Sequence, residues 1–392
     1  MKTKKFLSMA ALALVGAMMT GCSSDDDILQ PENKTNVVTL TATVGFDEGV
    51  DATRALTSTG VKTFAEGDQM AVIYKNTSGG TVKAVGTLTS GADTKSGTFT
   101  FTLTNPDKAQ NVTYIYPAAM AGSTGVDYTK LDSQSNGTLT DLGSKYDLAT
   151  NSGAWDGDNL PTLTLENQLA ILAITLKNST DITSTITGMT VSDGTNTYTV
   201  EREAADGPIY VAIRPTTSQN IEVTATDGTN EYVKTLSGKT YDANNGYNVT
   251  WNMMTKVTWN STNVFKEDNQ MDRLNNWKRD PLTYEGITIS FNGSSASSSF
   301  SPYSVGIGNA SLVCFGGEGA SFTFTAPSGK EFTKIEIIGN RYLTFTAYGD
   351  WTKPADTKIV WSGTPASTVT LGGSNNTFAN DLNSIVFTLK DK

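Results

Sequence analysis

The sequence predicts an all-β protein built from antiparallel β-sandwiches. Three observations carry this. Apolar residues alternate with polar ones, as in Val38, Leu40, Ala42, Val44 and Phe46 against Thr39, Thr41, Thr43 and Gly45, and a period of two puts one set on one face of a strand. Clusters of Gly, Asn, Asp and Ser recur between such runs and supply the positive φ and local side-chain hydrogen bonds that turns need. No segment of helical period reaches a convincing length, so packed antiparallel sheets are the default.

Along the chain, the first segment is of another kind. Lys2, Lys4 and Lys5 precede an apolar run from Phe6 to Met19, and Thr20-Gly21-Cys22 follows. A basic start, a short apolar core and small residues before a cut form a secretory leader, and the run is too short to span a bilayer as a helix. A Cys after Gly at the end of such a core resembles a bacterial lipobox. That resemblance implies a signal peptide over 1–21, cleavage before Cys22 and lipidation of Cys22, palmitate included. Acyl chains hold a soluble domain at a membrane because each buried CH₂ contributes roughly 0.8 kcal/mol. Ser23-Ser24-Asp25-Asp26-Asp27 resembles the acidic export signal of surface lipoproteins in some anaerobic Gram-negative bacteria. Residues 22–36 also have the composition of a solvated tether. The expected location is the cell outer membrane, lipid-anchored and facing outward.

The β pattern begins at Val37. Phe99, Phe101 and Leu103 alternate with threonines, whereas Met70-Ala71-Val72-Ile73-Tyr74 is continuously apolar, as in a strand covered on both faces. Leu163, Leu165, Leu169 and the run from Ile171 to Leu176 predict strands entering a buried sheet. One domain boundary is expected near 159–164, after an apparent loop from Asn151 to Asp158, and another near 254–259. The expected units are 37–162, 163–256 and 257–392.

Composition narrows the function. The 392-residue chain has a formal net charge of −10, and −13 once three lysines leave with the leader. Nucleic acid is excluded as a partner, because phosphate binding needs clustered Lys and Arg. Histidine is absent, which removes Ser-His-Asp and Cys-His catalysis and imidazole metal sites. A carboxylate-pair hydrolase remains formally open. With Cys22 assigned to lipid, Cys314 is alone and is expected as a buried thiol. Asp156-Gly157-Asp158-Asn159 supplies too few oxygens for Ca²⁺ and is expected as a turn. No catalytic residue, metal or cofactor is assigned.

Several patterns between 37 and 256 resemble the fimbrillin family, the subunits of type V pili. Asp51-Ala52-Thr53-Arg54-Ala55 follows the first strand, where fimbrillins carry a Thr-Arg-Ala segment. Phe64-Ala65-Glu66-Gly67-Asp68 resembles the family's Phe-x-x-Gly-Asp turn. Tyr146-Asp147-Leu148, Leu165-Glu166-Asn167-Gln168-Leu169-Ala170 and Gly238-Lys239-Thr240-Tyr241 match further family patterns in order, with Gln168 in place of a frequent His. Gly67-Asp68 and Gly238-Lys239 are expected as turns.

The resemblance implies two transthyretin-like sandwiches and a non-enzymatic, pilus-associated or adhesin role. It also implies cleavage between Arg54 and Ala55 that removes the first strand, after which a strand from another subunit fills the groove by β-strand addition. The plain alternative is a surface Arg on a loop. Other fimbrial subunits, surface proteins or surface glycans are the expected partners.

Residues 257–392 depart from a simple stalk subunit. Phe324-Thr325-Ala326-Pro327-Ser328-Gly329-Lys330, Trp361-Ser362-Gly363 and Ser384-Ile385-Val386-Phe387 resemble jelly-roll modules appended to surface proteins of similar bacteria. Four of the six tryptophans lie here. Aromatic faces beside Asn and Asp grip sugars, so Asp350, Trp351, Asn375 and Asn376 are candidate glycan-binding residues, with core packing as the alternative. The second functional expectation is a stand-alone glycan-binding lipoprotein.

Overall fold

The computed structural model describes residues 35–46, 62–155, 158–260, 262–264, 281–292, 299–304, 310–315, 321–339, 349–372 and 382–392. The side chains of 291, 292, 299–304, 310–315 and 382 lie outside that description. Among the described residues strands dominate, and the longest helical run is the three-residue α turn Leu139–Asp141 continued by the π turn Leu142–Tyr146. Among the described residues no helix is long and apolar enough to cross a membrane.

The first strands are β1 (Val37–Phe46), β2 (Gln69–Lys75), β3 (Thr81–Ser90), β4 (Ser96–Thr104), β5 (Asn111–Tyr116), β6 (Ser133–Ser135), β7 (Ala149–Ala154) and β8 (Leu163–Asn167). All but β6 form a closed barrel in the order β1-β4-β3-β2-β5-β7-β8. The closing contact is parallel: Val44, Gly45 and Phe46 of β1 lie beside Leu163, Thr164 and Leu165 of β8. The stretch expected to open the second unit is thus the last strand of the first barrel. The expected loop from Asn151 is the second half of β7, which runs beside β5 from Asn111/Ala154 to Tyr116/Ala149. Its Asn, Ser and Gly composition hides the strand. The Ser152 and Thr113 hydroxyls bond across the ladder at 2.8 Å. A Cβ on Gly153 would stand 2.7 Å from the Leu163 side chain.

Two-faced burial of β2 follows from its continuous apolarity. Met70, Val72 and Tyr74 point into the barrel, while Ala71 and Ile73 join a second hydrophobic cluster outside it. The next strands are β9 (Ala170–Asn178), β10 (Thr180–Asp181), β11 (Gly188–Ser192), β12 (Thr197–Glu201), β13 (Ile209–Ile213), β14 (Thr216–Thr226), β15 (Glu231–Tyr241), β16 (Gly246–Asn252) and β17 (Met254–Asn260), and all but β10 and β17 contribute side chains to that cluster. One sheet holds β10, β9, β13 and β16, and the other runs β17-β15-β14-β11-β12-β6. β16 pairs in parallel with β9, and β6 with β12. Parallel pairing needs long return connections, which is why a hairpin reading of the sequence does not find it. Gly67 takes φ +84° in its expected turn, where the Asp68 carboxylate accepts the Ala65 N–H at 2.8 Å. Gly238, expected as a turn, instead lies inside β15 with φ +61°, beside register shifts opposite Gln219. A positive-φ glycine serves a bulge as readily as a turn.

The remaining strands are β18 (Leu282–Tyr284), β19 (Ile287–Asn292), β20 (Ser299–Ser304), β21 (Ala310–Phe315), β22 (Ser321–Thr325), β23 (Lys330–Gly339), β24 (Trp351–Ala355), β25 (Lys358–Trp361), β26 (Thr368–Gly372) and β27 (Leu382–Asp391). One sheet runs β18-β19-β22-β26. The other, β24-β25-β23-β27, continues through β17 into the preceding sheet. Thr255 and Lys256 pair with β15 on one side and β27 on the other. The expected boundary at 256/257 therefore falls within one unbroken strand. A third cluster, with Trp259, Phe322, Phe324, Phe332 and Phe387 at its centre, fills this part. Cys314 pairs with Phe300 along β20–β21, and its side chain lies outside the description.

Candidate functional site

β1 and the cleft it covers form the candidate site. Alternation decides which side chains enter the barrel. Ala42, Val44 and Phe46 are fully enclosed, Val38 and Leu40 are half-buried, and Val37 is 55% exposed. The N-terminal half therefore lies at the rim and the C-terminal half in the core.

Register makes the fit specific. Val38, Leu40, Ala42 and Val44 stand opposite Leu103, Phe101, Phe99 and Gly97 of β4. Directly opposed side chains on one face are in contact distance, so the small Ala42 meets the large Phe99 and the branched Val44 meets a glycine. Gly97 is required there, since a Cβ would come within 2.6 Å of Leu88 and 2.8 Å of Phe64. Phe46 stacks on Phe64 with centroids 4.4 Å apart and meets Tyr116 edge-on at 5.5 Å.

The pairing of β1 is lopsided. It meets β4 over nine residue pairs, from Val37/Thr104 to Gly45/Ser96, and β8 over three. β8 in turn meets β7 over two. The seam is the short side of the barrel, and most of the strand's second edge has no ladder partner among the described residues.

An ion pair seals the end of the strand. The Lys62 ammonium lies 4.5 Å from the Phe46 ring centroid and 4.9 Å from that of Tyr116. It contacts the Asp147 carboxylate at 2.8 Å and donates to the Asp147 carbonyl at 2.9 Å. Both side chains are under 10% exposed. The Tyr116 hydroxyl donates to Asp68 at 2.5 Å, and burial first, then that carboxylate, drives its pKa far above the ordinary phenol value. The site offers apolar walls, a strand edge and one neutralised cation.

Cys22, Arg54, Ala55, Asn375 and Asn376 lie outside the described residues, as do Trp277, Tyr342 and Tyr348. Asp350 is exposed at a turn. Trp351 corrects the glycan expectation. It is 3% exposed, its indole N–H donates to the Thr370 carbonyl at 2.9 Å, and its ring lies 6.1 Å from Phe324. The alternation of β24 turns Trp351 inward and Thr352 outward, so the ring offers no face to a sugar. Trp259 and Trp361 are core residues too. Among the described residues no three His, Cys, Asp or Glu side chains are placed to hold a metal ion.

Two features escaped the sequence analysis. The Lys62–Asp147 pair joins residues 85 apart, and nothing local marks either as buried. The second left a signal: Asp-Gly-Thr-Asn-x-Tyr occurs at 193–198 and again at 227–232. Each copy builds the same turn, in which the Asp carboxylate accepts the next-but-one and third amide N–H and holds the Asn amide.

No family model matches the chain, and no curated protein matches it. Several solved structures do. A Bacteroides uniformis protein named for a proposed role in cell adhesion is 16% identical, with 57% of this chain and 94% of that one covered at a TM-score of 0.31. A fimbrial assembly protein of Parabacteroides distasonis is 8% identical, with 57% and 95% covered at 0.30. A Bacteroides ovatus protein, also named for a proposed cell-adhesion role, is 10% identical, with 55% and 94% covered at 0.31.

Proposed function

We propose that this chain is a non-enzymatic surface lipoprotein of the fimbrillin kind, anchored in the outer membrane through Cys22. On this reading it joins fimbrial subunits by exchange of β1 after cleavage between Arg54 and Ala55. One observation carries the exchange: β1 is a complete inserted strand, keyed by Ala42, Val44 and Phe46, yet bound on its second edge by only three pairs. Its departure would leave the β4 edge open and an apolar groove floored by Phe99, Phe101 and Phe64. An incoming strand would regain the ladder hydrogen bonds and fill the same positions. Phe64 and Lys62 follow Arg54 in the chain, so they would remain with the body and meet the newcomer. The units of this reading are 37–162, 163–256 and 257–392; each holds the greater part of one hydrophobic cluster, although the second cluster also takes Ala71, Ile115, Leu131 and Leu142 from the first unit and β8 closes the first barrel.

Mass spectrometry of the N-terminus of surface-exposed protein tests the proposal. A species beginning at Ala55 supports exchange. An exclusively acylated Cys22 terminus refutes processing and leaves an anchored protein with β1 in place.

A further inference from the structure

The first copy of the repeated turn borders a polar cleft of about 540 Å³ between residues 128–132, β12 and the end of β13. Such a volume lies in the range of small-molecule sites, roughly 300–1,000 Å³. We propose that this cleft binds a carboxylate-bearing sugar residue, with Arg214 as its anchor.

The guanidinium of Arg214 is held in place, acts on the nearby Asp193 carboxylate only through space, and keeps N–H groups unspent. Its carbon lies 4.6 Å from the centroid of the Tyr128 ring, and the Asn196 side-chain oxygen accepts one N–H at a long 3.4 Å. Arg214 makes no ion pair among the described residues, and its side chain is exposed at the cleft. A guanidinium with free parallel N–H groups matches a carboxylate in two-pronged geometry.

The surroundings fix that group in place. The Arg214 backbone N–H donates to the Tyr198 hydroxyl at 3.0 Å. The strand that delivers Arg214 is pinned by buried Gln134, which donates to the Ala212 carbonyl at 2.7 Å and accepts the Ala212 N–H at 3.0 Å. Asn196 is locked by Asp193, and Tyr128 opens a short turn capped by Asp127. Preorganisation of this kind spares a binding site the entropy of ordering its side chains.

The remaining lining explains why the ligand is a sugar and not a bare anion. Thr195 lines the cleft with a hydroxyl, Thr129 and Thr197 offer oxygen lone pairs while their own hydroxyls donate to Asp127 and Ser192, and Asp132 presents an acceptor for sugar hydroxyls. On a chain of net charge −10, an anion is repelled in general, so a positioned Arg is what admits one. The sister turn at 227–230 has the same internal hydrogen bonds, but the carboxylate of its Asp227 is met by Tyr232 and no Arg among the described residues acts on it. The turn alone is therefore scaffold, and Arg214 with Tyr128 makes the difference. This inference is independent of strand exchange.

An array of sialylated, uronate-containing and neutral glycans, followed by calorimetry on the full chain, tests it. Carboxylated glycans are expected to bind, and their neutral counterparts at least tenfold more weakly. Arg214→Gln is expected to lose at least tenfold in affinity while staying folded by circular dichroism, Tyr128→Ala several-fold, and Thr229→Ala in the sister turn nothing. Equal binding of neutral and acidic glycans, no binding of any carboxylated glycan, or full affinity in Arg214→Gln would overturn the assignment.

Discussion

Single residues carry two of the sharpest consequences. Lys62 and Asp147 are a buried pair, and removing one partner strands the other's charge in the interior, which costs about 3–5 kcal/mol. Lys62→Ala should destabilise the first barrel by about that much, whereas Lys62→Met, which keeps the stem against Phe46 and Tyr116, should lose less. Urea unfolding followed by the intrinsic fluorescence of the buried tryptophans, Trp155 in this barrel and Trp251 in the next sheet pair among them, measures both. Asp227 predicts a pH effect. Burial pushes its carboxyl up, but bonds from Asn230, Thr229 and Tyr232 outweigh it and bring the pKa down to about 2. An unfolded Asp titrates near 3.9. The folded value is depressed, so this stabilisation is present above about pH 4 and is lost as pH falls toward 2. Asp227→Ala should unfold more easily than wild type at pH 5, and the gap should narrow at pH 2.5 in the same urea assay. The Asp193 carboxyl is also pushed up by burial and held low on balance by Asn196, Thr195 and nearby Arg214, so it adds to the acid loss in the same direction.

Strands show what alternation reveals and what it hides. The inward faces of β1, β2 and β4 were legible because apolar residues at period two admit one register against a core. Phe46→Ala should therefore cost the barrel about 3–5 kcal/mol, and Val37→Ala, at the exposed end of the same strand, within about 0.5 kcal/mol. Equilibrium denaturation of the two variants separates the buried half of β1 from its rim. At the β3–β4 hairpin Gly91 has φ +93°, and a Cβ would lie 2.1 Å from the Ser96 carbonyl oxygen. Gly91→Ala should cost about 1–3 kcal/mol by the strain it introduces, read as a lowered melting temperature. β7 was illegible because its second half runs Asn151, Ser152 and Gly153, the vocabulary of loops. Trp351 was misread for a related reason: an Asp-Trp pair beside a turn suggests a sugar platform, while the strand beginning at Trp351 turns the ring inward.

At the scale of the whole molecule, the all-β class is legible in the sequence, while the pairing that joins one sheet to the next is not. Sequence marks a boundary by a change of composition, but β8 closes one barrel directly before β9 opens the next sheet. β17 serves two sheets with no break at all. Backbone pairing, which composition does not record, sets these limits. Lys256 pairs with both neighbours and its ammonium meets Glu231 at 2.8 Å. Proline there would remove the strand's N–H and its fit to the ladder. Lys256→Pro should split one cooperative unfolding transition of the sheets on either side of β17 into two in calorimetry. Exchange of β1 can be watched by cutting the purified protein with an arginine-specific protease and following it by native mass spectrometry with an excess of isotope-labelled peptide spanning 37–46. An exchangeable β1 requires a cut after Arg54, a body that stays folded, and replacement of the native strand by the labelled one. A cut body that unfolds, or that keeps its own strand indefinitely against the excess, would contradict it.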